Sequence, residues 1–541
     1  MVLRRLTPDK AEFVFATEEE DDEEQNTLEN GGFPVPDRRR NHDSHTHIPE
    51  SGGFGVGIGA GMIDMDADAA FTHHSPSFFF SDNVQLPLAM NLQNPSFSAP
   101  TLFGAIPFQD IVEESGNTLQ NLSLPADSDH VDSLIDFYFA HSHTLYPIVR
   151  RSEILELLTK ARAAEAAGSV TCSSLDLFKI WMILAIGSTA YCSVALDDES
   201  ESMLYYNKAF MYFESALAHG ETATLEVLAL QVSYSFFNQL GPIGMAARIA
   251  IGMGLHAAST YQNLQVDEAD RRKRLFFSIY MMDRVVSMAL GRPFALHDDD
   301  IDVSDFAGVD EDNITATEIR PQQTLQLSLM TVPVHILALR RIASKIASQV
   351  YSPRVSPSLS TTEREATIHV LHQELIQWRR NMPFPLPTDS NIYSRVPHLT
   401  HSWYDFNYYT HVAMLYRPSP LLPTPSQDRL HTLREVTSMA LRTAMSMHVQ
   451  QRLAYNWLNF LSLYTITLSL IYSITAQPDS LVLVLQQTRG CEDLECAVGL
   501  FDTLAVKFRA AKRVSRMIQD IVKRYRTLCD SSDGQCRDEG G

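Results

Sequence analysis

At 541 residues with 45% apolar content the chain has material for a large buried core, and length alone predicts two to four domains. The formal charge of −22 is lopsided, because residues 1–130 hold 6 Lys or Arg against 22 Asp or Glu, which places −16 of it in the first quarter. A chain this acidic repels nucleic acid unless a local basic module overrides it, so no phosphate-binding face is announced.

Six cysteines in 541 residues, two of them inside apolar helical stretches, suit buried thiols in a reducing compartment better than a disulfide framework. Met1–Lys10 leads into an acidic run rather than an apolar segment, and the protein is expected to be soluble and intracellular.

Residues 1–127 are expected to be a disordered acidic tail. Glu18–Glu24 is unbroken acid, Gly52–Gly61 is glycine-rich, and Asp64–Phe80 sets aromatics beside carboxylates, which reads as a linker or an activation-like segment. His42, Asp43, His45 and His47 read as solvated polar residues. Order begins near Ser128, where Val131, Leu134, Ile135, Tyr138 and Phe139 share one helical face. Ser128 and Asp129 are candidate caps, and Ser152 is a candidate cap for a helix from Glu153. Leu175–Val194, Glu201–His219, Thr224–Phe237 and Pro242–His256 are further expected helices.

The stretch Arg271–Val303 organises this part. Leu275, Ile279, Met282, Val286 and Leu290 recur at helical spacing behind the basic run Arg271–Arg274. Phe276, Tyr280 and Asp283 lie one residue along, so a carboxylate flanks the buried stripe and would be costly unless paired with Arg272, Arg284 or Arg292. Gly291 ends the helix, Pro293 forbids its return, and the acids Asp298–Asp302 follow as a solvated turn or cap. Residues 128–306 are expected to be all-α, the core part of a helical domain.

Residues 307–528 continue it, with helices expected over Gln322–Val350, Thr362–Arg380, Trp403–Tyr416, Arg429–Ala454, Trp457–Ala476 and Cys491–Leu528. Residues 529–541 are expected to fray. Trp457–Thr475 is uncharged and long enough to span a bilayer, but its seven Asn, Ser and Thr residues would each need a partner in lipid, so it is expected to be a core helix, with no membrane involved.

Catalytic signatures are missing: no Walker loop, no G-x-S-x-G elbow, no H-E-x-x-H and no kinase set. The alternating glycines Gly55–Gly61 follow no strand. Cys491 and Cys496 lack a matching second pair, and structural zinc needs four ligands, so no metal is assigned. The protein is expected not to be an enzyme.

Taken together, paired basics (Arg271, Arg272), an aromatic pair (Phe276, Phe277), the Asp283–Arg284 step, the Gly291–Arg292–Pro293 turn and the acidic ending Asp300–Asp302–Val303 resemble the signature of the fungal-specific transcription factor domain. That domain is the middle homology region of the binuclear zinc-cluster regulators. Leu134–Val149 and Gly241–His256 are similar to its opening and central helices, and Leu371–Pro383 and Tyr416–Pro423 to parts of its second half. Phe276 and Phe277 stand where tryptophan is frequent, and Ser304–Asp305 replaces a proline-containing exit.

The resemblance implies an all-helical regulatory domain in a nuclear transcription factor, with Arg272, Phe276, Tyr280, Asp283, Arg284, Gly291, Arg292, Pro293, Asp300 and Asp302 as its structural or regulatory signature. The family's DNA reader is a separate module in which six cysteines hold two zinc ions. No cysteine precedes Cys172, so that module is absent from this chain, and zinc is expected only if a cluster lies upstream. One expectation is a pathway-level regulator of RNA polymerase II transcription, contacting co-regulators or the transcription machinery. A second is a partner that dimerises with itself or with a complete zinc-cluster factor and reaches DNA indirectly. A third is a small-molecule sensor, with Trp181, Phe237, Tyr280 and Asp283 the residues to watch.

Overall fold

A computed structural model describes residues 122–538 apart from 169–171, 239–242, 323–326, 353–358, 387–392 and 477–480, with side chains as far as Asp530 except at Asn238. The acidic run, the glycine patch, the aromatic segment Asp64–Phe80, the histidines from His42 to His47 and the side chain of Cys536 lie outside the described residues. Among those described, every long element is an α-helix, and the one β-bridge joins Ile314 to Ile319.

Helix α1 (Ser128–His141) is capped by Asp127, whose side chain accepts from the amides of Asp129 and His130, one residue before the caps the sequence offers. After α2 (Arg151–Ala167) comes α3 (Ser174–Ala195), opened by a capping box in which the Ser173 and Asp176 side chains each bond the other's amide. Helix α3 is buried along most of its length and crosses α1 closely at Gly187. A Cβ there would lie 2.3 Å from the Leu134 carbonyl oxygen, so glycine is what permits the crossing. The expected helix Glu201–His219 is broken into α4 (Ser200–Phe210) and α5 (Phe213–Leu217). Then follow α6 (Glu221–Asn238), α7 (Ile243–Gly252) and α8 (Val266–Leu290).

The first core is built from these helices, with Val131, Ile135, Ile183, Leu228, Phe276 and Ile279 among its buried members. It does not stop at residue 306. Helix α9 (Thr331–Val350) gives Val332, Ile336 and Leu337 to the first core but Leu339, Ile342 and Ile346 to a further core, shared with α10 (Thr361–Arg380) and α11 (His401–Tyr416). The sequence pattern starts α9 at Gln322. Pro333 has no amide hydrogen and is tolerated only in a first turn, which explains the later start at Thr331.

The last core joins α12 (Gln427–Val449), α13 (Trp457–Thr475), α15 (Gly490–Leu504) and α16 (Arg509–Asp538), with the short α14 (Leu481–Gln487) beside them. Cys491–Leu528, expected as one helix, is two, with Phe508 turning inward between them, and α16 runs through Asp538, past Leu528. Helices α3 and α13 are each long and apolar enough to cross a membrane, but 89% and 72% of their apolar windows are buried inside the fold. The hydroxyls of Thr465, Thr467, Ser469, Ser473 and Thr475 bond carbonyls of α13 itself, so burial is the stronger argument, not a need for outside partners.

Candidate functional site

Helix α8 ends as its sequence demands. Gly291 takes φ 63°, its amide donates to Met288 and that of Arg292 to Ser287, leaving Arg292 and Pro293 on the exposed turn beyond. The chain then folds back over the helix. Asp283 is 1% exposed and accepts from the amides of Ala295 (3.1 Å) and Leu296 (3.2 Å), from the Ser287 hydroxyl (3.2 Å) and from Arg284 (3.0 Å). One buried carboxylate thus pins the returning loop to the helix end, and of the three arginines offered as partners the neighbour Arg284 is the one in contact.

Arg284 is fully buried, its guanidinium 3.7 Å from the Tyr280 ring centroid and 4.6 Å from that of Phe294. Its second nitrogen donates to Asp298 at 3.1 Å. Asp298 also accepts from the Tyr280 hydroxyl (2.5 Å) and from the hydroxyl of Ser344 on α9. Burial works against its charge, but Arg284 and the two hydroxyls hold its carboxyl below the usual aspartate range. Burial, reinforced by Asp298, pushes the Tyr280 phenol well up. The series Asp283–Arg284–Asp298–Ser344 therefore ties α8, its return loop and α9 together.

The signature acids divide. Asp302 accepts from the Ala258 amide at 2.6 Å and its own amide reaches the His256 carbonyl, so it fastens the loop to the turn after α7. Asp300 is exposed with no side-chain bond among the described residues. Asp298, which a reading of the run as a solvated turn overlooks, is the acid that matters for packing. Three identical residues in a row carry no mark of which one will face the helix.

The basic run is not a free cationic face. Arg271 pairs with the buried Glu226 of α6 (2.5 Å), Arg272 with Glu268 (2.7 Å) and Arg274 with Asp270 (2.6 Å), while Lys273 donates to the Ser304 hydroxyl. Glu226 also holds Lys179 of α3 at 2.6 Å, and Lys179 holds Glu153 of α2 at 2.7 Å. Burial opposes the Lys179 charge, but the two glutamates outweigh it and keep its pKa above the ordinary value. This network was signalled by single charges set inside the apolar helices α3 and α6, which must find partners. Phe276 is fully buried against Phe277.

Of the residues watched for a ligand, Trp181 packs on Tyr205 in the first core, Phe237 lies near His141, and Tyr280 and Asp283 belong to the clamp just described. None lines the cavity of about 190 Å³ bounded by α1, α8, α9, α11 and α13. Around that cavity lie neutral histidines: burial lowers His141 and His411 to about 4, with Arg340 adding to the effect at His411, and takes His398 well below its usual value.

The fold and this site define a helical module whose charged signature holds its own elements together. Residues 135–380, from the middle of α1 to the end of α10, match the fungal specific transcription factor domain. It is 25% identical over 373 residues to Protein STB5 of Saccharomyces cerevisiae, covering 64% of this chain and 48% of that protein. It is 24% identical over 311 residues to Pyrimidine pathway regulatory protein 1 of the same yeast, covering 55% and 33%. It is 21% identical over 408 residues to an Acetamidase regulatory protein of Aspergillus fumigatus, covering 72% and 48%. The chain therefore spans about half of these relatives' length or less.

Proposed function

We propose that this chain is a fungal regulator of RNA polymerase II transcription that acts in the nucleus through its helical domain. The match of residues 135–380 to the fungal specific transcription factor domain carries the reading, and similarity to proteins named as pathway regulators supports it. With Arg271–Arg274 engaged by carboxylates and a hydroxyl, the domain's signature helix offers DNA no free basic row, so DNA contact is assigned to a zinc-cluster module or to a dimer partner that has one. On this reading the chain by itself holds no zinc.

The experiment is a fusion of the whole chain to an unrelated DNA-binding domain, expressed in a fungal host with a reporter under matching sites. Reporter output is expected to change several-fold, up or down, with the tagged protein in the nucleus. A stably expressed fusion that occupies the sites yet leaves output unchanged would overturn the reading.

A further inference from the structure

The cavity between α1, α8, α9, α11 and α13 is lined by apolar side chains, Trp403, Phe406 and Met288 among them, and by uncharged polar ones such as Asn407, Thr410 and Asn459, and no Asp or Glu lies on its wall. Arg340 of α9 does. It is half-buried, on the wall of a cavity that is partly open to the surface. Its Nε has no hydrogen-bond partner, and no carboxylate among the described residues pairs with its guanidinium. Buried cations elsewhere in the first core do have an acid: Arg284 has Asp283, Arg274 has Asp270 and Lys179 has Glu226.

A partly buried guanidinium without a counter-charge is costly, and burial pulls Arg340 below its ordinary pKa without being able to neutralise it. The surrounding histidines are neutral and supply no negative charge. Arg417, the other arginine on the wall, donates to the Tyr351 hydroxyl at 2.6 Å. An apolar cavity of about 150 Å³ accommodates a benzene ring, so 190 Å³ leaves room for a ring-sized body and one charged head group.

We propose that this cavity is an effector site for a small organic monocarboxylate, whose head group pairs with Arg340 while its apolar body lies against Trp403, Phe406 and Met288. The pairing would be the bidentate, charge-assisted kind that guanidinium geometry favours. Because α8, α9 and α11 meet here, an occupant would hold the first core against the core shared by α9, α10 and α11. The inference concerns the isolated chain and does not depend on the transcriptional reading.

The test uses the purified full chain with benzoate and hexanoate as probes and benzamide as the uncharged control. Both acids are expected to raise the melting temperature saturably at millimolar concentration, and benzamide is not. Arg340→Gln is expected to weaken binding of the acids at least about ten-fold, the scale of one lost charged pair, while leaving the melting temperature of the ligand-free chain unchanged or higher, since no partner is orphaned. Ala289→Leu, which fills the cavity from α8 and leaves Arg340 in place, is expected to abolish binding and still fold. The proposal is overturned if neither acid binds, if acid and amide act alike, if Ala289→Leu folds and still binds, or if Arg340→Gln destabilises the ligand-free chain as loss of a structural pair does.

Discussion

In the first core the buried carboxylate of Glu226 on α6 holds Lys179 of α3 and Arg271 of α8, both far away in the chain, and that of Asp283 holds Arg284 beside it and two amides of the return loop. In the last core Thr465, Thr467, Ser469 and Ser473 satisfy their hydroxyls on carbonyls of their own helix, and the charged pair Arg442–Asp493 sits at the edge with the arginine 38% exposed. The first arrangement requires particular residues at particular distant positions, whereas the second requires only apolar volume and a few small hydroxyls. That contrast sets α8 and its return loop apart from the last core, which lies beyond the domain match ending with α10.

The largest test of the contrast is acid. His141, His143, His398 and His411 are buried in or beside the first core, and burial lowers all four, to about 4 for His141 and His411 and about 3 for His143. Arg274 and Arg151 add to the effect at His143. No histidine among the described residues is buried in α12 to α16. Above the unfolded pKa of about 6.5 these groups are neutral in both states. As pH falls from there towards about 4 only the unfolded chain takes up protons, so stability is lost across that window, by about 2 kcal/mol per histidine at roughly pH 5. Denaturant titrations across this range are expected to show a steep fall that His411→Gln makes shallower. A flat profile would place the histidines in contact with water.

Next in size is Asp283→Asn. The substitution keeps the shape and removes the charge, leaving Arg284 buried with the partly exposed Asp298 as its remaining acid. Breaking a buried pair on one side costs about 3–5 kcal/mol, to be read from the midpoint of equilibrium unfolding. A cost under about 1 kcal/mol would show that the loop amides, not the arginine, are the essential partners of this carboxylate.

Much of this was legible in the sequence. Helical periodicity places α1, α3, α8 and α13 within a residue or two of their ends, apart from the start of α8, and Asp283 beside an apolar stripe calls for a cation. Three things were not legible. Asp298 is indistinguishable from Asp299 and Asp300 until the return loop closes on α8. The lone charges Lys179 and Glu226 announce that each needs a partner but not which one, because α3 and α6 become neighbours only through tertiary packing. The cavity at Arg340 is bounded by five helices drawn from residues 141 to 469, and no local pattern encodes a gap between elements so distant in sequence.

The smallest effect belongs to the last core and is the control for the rest. Leu470 is fully buried in α13 among Phe460, Phe501 and Ile518. Leu470→Met conserves volume nearly as well as Asp283→Asn conserves shape, so the two substitutions compare apolar packing with a specified charge at matched steric cost. Methionine is flexible and fills irregular space, and such swaps cost less than about 1.5 kcal/mol. The same equilibrium unfolding measurement applied to both variants gives the comparison directly. If Leu470→Met costs as much as Asp283→Asn, the last core is as closely specified as the first. If it costs under half as much, what distinguishes α8 is that its buried carboxylate depends on particular partners, Arg284 and the amides of the return loop.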